Sequence, residues 1–159
     1  MPESNFERMI ALAEQVFDTK NDAGQLDVNQ EVLARLEEIH PATVSEFADD
    51  NGPVAWVLMI PCRLEQMHLF MEGKTTEKAL FESVKPEQKH EAIYLCSAMV
   101  LEEYRRKGIA KKLALEAIES LRKDHPIQFL FVWAFSPEGL AGSEELSRLT
   151  GLPLLKKLK

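Results

Sequence analysis

The sequence predicts a single α/β domain over residues 1–159, built on one mixed central sheet with helices on both faces. Three observations carry that expectation. Segments of helical and of strand-like apolar spacing follow one another along the chain. Two strand-like segments, residues 54–60 and 129–135, are almost wholly apolar, as strands covered on both faces are. No Pro-, Gly- or Ser-rich linker, internal repeat or low-complexity tract divides the 159 residues, a length that corresponds to one domain of roughly 150.

The elements follow in order. Ser4 and Glu7 have the spacing of a capping box, and Phe6, Met9, Ile10, Ala13 and Phe17 recur at helical intervals, predicting a helix over 5–18. Residues 21–24 break it. A second helix starts near Asp27 or Asn29 and carries Val32, Leu33, Leu36 and Ile39 on one face. His40-Pro41 stops it, since the residue before proline avoids the helical region. Residues 43–48 pair with 54–60 across a turn containing Asn51-Gly52, a strong hairpin signal. In the mixed stretch 63–91, Thr75 or Thr76 caps a short helix that runs to about Val84, ahead of Lys85-Pro86. Residues 92–101 form the next strand. The clearest helix covers 108–123, where Ile109, Leu113, Ala117 and Leu121 repeat every four residues. Residues 127–135 form a further strand, 143–149 a short helix capped by Ser143 with Gly151 beyond its end, and 152–158 a last strand.

Composition excludes several classes. The chain is 45% hydrophobic and 28% charged, ordinary globular usage, so disorder is not expected. Its longest apolar runs have seven residues, against about 20 for a membrane span, and no secretory signal is visible. Cys62 and Cys96 lie in apolar segments and read as buried free thiols of a reducing, cytoplasmic setting. The net charge of −7 is unevenly spread. Residues 1–50 hold 3 basic and 12 acidic side chains, whereas 101–159 hold 11 basic and 8 acidic. Nucleic acid is thus not an expected partner. The four histidines are far apart in sequence and H-E-x-x-H and C-x-x-C are absent, so no metal site is expected.

The chemically informative stretch is Arg105, Arg106, Lys107, Gly108, Ile109, Ala110 and Lys111, where a turn opens the long helix. The first amides of a helix have no internal acceptor, and the dipole adds positive charge there. Gly108 lets an anion approach the backbone, and Ala110 keeps the first turn small. Arg105, Arg106, Lys107, Lys111 and Lys112 oppose the helix dipole unless an anion joins them. Taken alone, R-x-x-G-x-A is more often a solvated basic helix start. In this setting it fits a phosphate or pyrophosphate site.

The strand, motif, long helix and apolar strand together resemble the acetyl-CoA-binding segment of the GNAT superfamily of acyl-CoA N-acyltransferases. Its Q/R-x-x-G-x-G/A motif is filled by Arg105, Gly108 and Ala110. The likeness is strong over 92–135 and weaker elsewhere in 43–152. It implies a GNAT-type sheet, with N-terminal helices over 5–40 and the acetyl-CoA-binding core at about 92–135. It implies that the amides of residues 106–111 grip the CoA pyrophosphate. A bulged strand that splays from its neighbour would hold pantetheine along Met99, Val100 and Leu101. The acceptor amine would enter from the other side, beside the first two helices, for direct transfer.

The chain departs from the family at several points. The usual tyrosine on the family's fourth helix is Ser147 here, and no tyrosine follows the motif. The strand position that in some members holds a glutamate is Tyr94, whose phenol is a weak base at an ordinary pKa near 10. Tyr94 and Ser97 are the candidate catalytic residues, each with an ordinary structural role as the alternative. Residues 63–91, with Met67, His68, Phe70 and Met71, form either a helix packed on the sheet or a lid over the acceptor. The resulting expectation is an N-acetyltransferase moving acetyl from acetyl-CoA to a primary amine of a small molecule or peptide, a cationic one being favoured by the acidic N-terminal half. The rival is a non-catalytic acyl-CoA-binding sensor or assembly subunit. No membrane partner is expected, and exposed strand ends are compatible with a homodimer.

Overall fold

The protein is described by a computed structural model that covers residues 4–18, 30–134 and 137–158. Five strands form one mixed sheet in the order of the chain. β1 (Val44–Asp49) and β2 (Gly52–Cys62) make the expected hairpin. Asp49 faces Gly52 across a two-residue turn. The Asp49 carboxylate accepts the Asn51 N–H at 2.7 Å, and Gly52 takes φ +116°, which only glycine tolerates readily. β2 pairs antiparallel with β3 (Ala92–Val100), which pairs parallel with β4 (Phe129–Ala134), which pairs parallel with β5 (Leu154–Leu158).

Alternation along the strands separates two faces. Trp56, Leu58, Ile60, Tyr94 and Phe131 share one, and Ala55, Val57, Met59, Ile93 and Leu130 share the other. The first face is covered by α1 (Asn5–Asp18), α2 (Gln30–Ile39), α3 (Leu64–Met71) and α4 (Glu77–Ser83). Phe6 of α1 meets Trp56 edge-on, and Phe70 of α3 packs on Tyr94 and Phe131. Arg35 of α2 lies over Phe81 of α4 and donates to the carbonyls of Glu82 and Val84. α5 (Ile109–Asp124) and α6 (Pro137–Thr150) pack together and cover the second face, with Leu113, Ala114, Ala117, Ile118 and Leu121 of α5 buried. β2, apolar on both sides, is buried from Val54 to Cys62, as an interior strand should be.

α1 starts as expected, with the Ser4 hydroxyl accepting the Glu7 N–H at 3.2 Å. Met9 and Ala13 are buried, whereas Phe6 and Ile10 stay largely exposed. α2 ends at Ile39, before Pro41. The expected break at residues 21–24, the start of α2 near Asp27 or Asn29, the side chain of Phe17 and the end of the strand at Phe135 lie outside the described residues. Thr76 caps α4 through the Ala79 N–H. The stretch 63–91 also holds α3, which carries Met67, His68, Phe70 and Met71 and is the packed helix of the two alternatives. Met67, Phe70, Leu80, Phe81 and Val84 are all buried, so both helices pack on the sheet as part of the core.

One element needs correction. The short helix expected over 143–149 runs from Pro137 to Thr150. Ser143 is not its cap but lies inside it, donating its hydroxyl proton to the Gly139 carbonyl at 2.9 Å. Gly139 and Gly142 mimic a break, yet Pro137 suits the first helical position, where no N–H is needed. Gly151, at φ +76°, ends the helix as expected.

Candidate active site

β3 and β4 pair only at Ala92–Phe129, Ile93–Leu130 and Tyr94–Phe131. Beyond Tyr94 they diverge. The register between β2 and β3 shifts just there: Leu58 faces Ser97 while Met59 faces Leu95, leaving Cys96 as the extra residue of a bulge. The bulge and the splay implied by the resemblance are therefore both present. Leu101 donates its N–H to the Val54 carbonyl at 2.9 Å. By alternation, the peptide groups of Met99 and Ser97 turn to β2, and those of Val100 and Ala98 turn to the gap. Of Met99, Val100 and Leu101, Val100 is thus the one that presents its backbone to the gap. Arg105 folds back to meet it, donating Nε–H to the Val100 carbonyl at 2.9 Å.

After β3 the chain makes one 3-10 turn, Glu102–Tyr104. Arg106 then adopts φ +65° and Gly108 φ +76°. A left-handed arginine costs about 1 kcal/mol, so the loop is held in a conformation its own side chain does not favour. A Cβ built on Gly108 would meet no protein atom within 4 Å. Glycine therefore serves the backbone angle here, and leaves the approach to the helix end open. The first α5 bond runs from Lys112 N–H to the Gly108 carbonyl at 3.0 Å. The amides of Arg106, Lys107, Gly108, Ile109, Ala110 and Lys111 precede it and have no acceptor among the described residues. No acidic residue lies in the first turn, and Arg105, Arg106, Lys107, Lys111 and Lys112 are exposed. Lys111 is shared with Glu145 at 3.3 Å, and Lys107 sits 5.5 Å from the centroid of the Tyr104 ring. The arrangement concentrates donors and positive charge where an anion would dock.

Two struts tie this loop to the opposite side of the sheet, and the sequence gives no sign of either. The Tyr104 hydroxyl donates to Asp49 at the hairpin, and Asn5 of α1 donates to the same carboxylate at 2.8 Å. Tyr104 holds the Asp49 carboxyl below its usual range. Beside it, Arg8 of α1 grips Glu103 with two bonds of 2.6 and 2.7 Å, which pulls the Glu103 carboxyl down to about 2. Their residues are 44 to 95 positions apart in the chain, so no local spacing could announce them.

The candidate catalytic residues lie together on the face covered by α1 to α4. Tyr94 is fully buried between Phe70 and Phe131, at centroid distances of 5.0 and 5.2 Å. Its hydroxyl donates to Glu77, a carboxylate only 1% exposed. Burial pushes the phenol well above its ordinary pKa. Ser97 is half-buried beside the bulge, and Ala98 is exposed. Ser147 is occupied elsewhere, donating its hydroxyl proton to the Leu152 carbonyl at 2.6 Å. Both cysteines are buried and neither is in a disulfide, and burial raises the Cys62 thiol far above its normal range. Among the described residues no cluster of His, Cys, Asp or Glu suits a metal, and no helix is long and apolar enough to cross a membrane. Three of the four dispersed histidines nevertheless meet, His90 and His125 at 4.5 Å and His40 and His125 at 5.8 Å between ring centroids.

No curated protein matches the chain. A solved structure, the NatB acetyltransferase complex bound to a bisubstrate inhibitor, is similar to 87% of this chain and 68% of that one, at 17% identity and a TM-score of 0.47. The sequence profile of the acetyltransferase (GNAT) family matches residues 13–138. That span includes both faces of the sheet, the splayed strands and the whole basic loop, and the chain belongs to the GNAT acetyltransferase family.

Proposed function

We propose that the protein is an N-acetyltransferase that moves an acetyl group from acetyl-CoA directly to a primary amine of a small molecule or peptide. One observation carries the reading: six successive amides, residues 106–111, with no acceptor among the described residues, open a basic helix beside two strands that part company at Tyr94. These amides would bind the pyrophosphate. The gap-facing peptide groups of Val100 and Ala98 would hold the pantetheine arm, once Arg105 leaves the Val100 carbonyl. Acetyl-CoA supplies the activated acyl group. The chain supplies positioning, backbone donors and proton removal.

A cationic acceptor fits the charge distribution. Glu7, Glu14, Glu31, Glu37 and Glu38 are exposed on α1 and α2, on the face opposite α5. Tyr94 and Ser97 face the same side, beside the expected acceptor. We place the protein in the cytoplasm as one domain, with a homodimer compatible with the exposed edges of β1 and β5. The non-catalytic acyl-CoA-binding reading has one observation in its favour, the engagement of Ser147 with Leu152, which leaves no free hydroxyl at the family's usual acid position. A panel of polyamines, aminoglycosides and lysine peptides against neutral amines, with thiol release as the readout, separates the two. Transfer with preference for cations supports the proposal, and binding without transfer to any amine overturns it.

A further inference from the structure

We infer that Arg105 is a latch on the donor gap: its guanidinium holds the gap-facing carbonyl of Val100 until the phosphates of the acyl donor draw it off, so that binding at the loop opens the strand to the pantetheine arm. This rests on the acyltransferase reading above and adds to it a coupling between the two halves of the donor. The pairing of β3 with β2 fixes which way each peptide group faces. Leu101 donates its N–H to the Val54 carbonyl, and the register sets Val100 against Ala55 and Ala98 against Val57. Hydrogen-bonded and non-hydrogen-bonded pairs alternate in an antiparallel ladder. The N–H and C=O of Val100 and Ala98 therefore point away from β2, to the side where β4 has diverged. Ala98 is exposed and Val100 half-buried. These are the groups with which an amide-bearing arm can pair, and the Val100 carbonyl is already taken by Arg105 Nε–H at 2.9 Å.

A neutral carbonyl is a poor partner for a guanidinium. Arg105 is exposed, and no carboxylate pairs with it among the described residues; the adjacent Glu103 is gripped by Arg8. A hydrogen bond to a neutral oxygen is about half as strong as one to an ionised oxygen. The flat fork of a guanidinium also meets a phosphate with two N–H groups at once. Arg105 directly precedes the amides of residues 106–111, so rotation about its own side-chain bonds is enough to carry it from the strand to an anion held there. Lys107, by contrast, lies over the Tyr104 ring, and Lys111 is shared with Glu145. The exchange breaks one neutral bond, forms charge-assisted ones, and releases the Val100 carbonyl to an N–H of the arm.

The test divides the donor. ADP carries phosphates without the arm, and S-acetylpantetheine carries the uncharged arm and thioester without phosphates. Each is titrated by calorimetry into wild type and Arg105→Met, which keeps an unbranched stem but has neither charge nor N–H. The variant should bind S-acetylpantetheine about fivefold more tightly, because the carbonyl is free, and ADP more weakly by at least about that factor. Saturating ADP should raise the affinity of the wild type for S-acetylpantetheine about fivefold, with the reciprocal effect that linkage requires, and should do nothing of the kind in the variant. A brace that merely steadies the loop behaves otherwise, since its removal weakens both halves. Arm binding unchanged or weaker in a folded Arg105→Met, no effect of ADP on arm binding to the wild type, or no arm binding to either protein at millimolar concentration overturns the latch. The coupling in the wild type needs no variant, so it decides even if Arg105→Met does not fold. A wild type that binds acetyl-CoA but shows no coupling loses the latch alone. Failure of the wild type to bind acetyl-CoA is a different result, which removes the acyltransferase reading and the latch with it.

Discussion

Acidification should destabilise this protein through a single buried imidazole, His90. It is wholly buried, and its Nε2 has no hydrogen-bond partner among the described residues. Its Nδ1 lies 3.4 Å from the Gln88 amide nitrogen, and its backbone N–H donates to His125 Nδ1 at 3.3 Å. The neighbouring rings offer no anion. His125 packs at 4.5 Å, and His40 beyond it is bonded to Asp124 at 2.7 Å. Burial first, then His125 and His40, lower the His90 pKa from 6.5 to about 4. Because the folded value lies below the unfolded one, the full stability is present above pH 6.5. It is lost as pH falls towards 4, where the unfolded chain binds a proton that the native state refuses. Linkage with these values gives a loss of about 2 kcal/mol at pH 5 and about 3 kcal/mol at pH 4 relative to neutrality. In a chain of this size, 2 kcal/mol corresponds to about 4–8 °C in Tm. His125, also lowered by burial, adds to the loss in the same direction. Urea unfolding of wild type and His90→Phe from pH 8 to 4 measures it. The variant keeps the ring shape, lacks the unpaired nitrogen, and should show a curve flatter by about 2 kcal/mol at pH 5. Parallel curves would refute the assignment.

Two further outcomes test the loop. Gly108→Ala meets no atom within 4 Å but must hold φ +76°, so it should cost about 1 kcal/mol in urea unfolding; a stabilised variant would mean the left-handed angle is not needed. Tyr104→Phe removes the hydroxyl that Asp49 accepts and should weaken acetyl-CoA binding by up to about tenfold without touching the ligand, as read by calorimetry; unchanged affinity would show that the strut does not position the loop.

The parts of the molecule legible in the sequence are those whose signal is local. α5 is announced by its four-residue repeat, β2 by an unbroken apolar run, and the loop by glycine and basic residues at a helix start. The α6 boundary was missed because two glycines inside a helix look like a break, while the proline at its start is a favourable first residue. The eight residues of α3 give little periodicity, so the sequence leaves a packed helix and a lid as alternatives there. Long-range contacts left no trace. Glu77 looks like any acid in a first helical turn, and only the fold brings it to Tyr94. The three histidines meet because α2, β3 and α5 begin or end at one place, and their spacing in the chain reflects nothing of it. The motif singles out Tyr94 by position alone, and no local spacing points to its hydrogen-bond partner.

The proposed function depends on the basic loop as an anion site for the acyl donor. The most direct measurement is a calorimetric titration of acetyl-CoA into wild type and Gly108→Glu, with folding of both checked by far-ultraviolet dichroism. The expected result is saturable binding to the wild type and none to the variant, whose carboxylate would point into the approach left open before the amides of residues 106–111. Absence of binding to the wild type at high micromolar concentration, or equal binding to a folded Gly108→Glu, would contradict it.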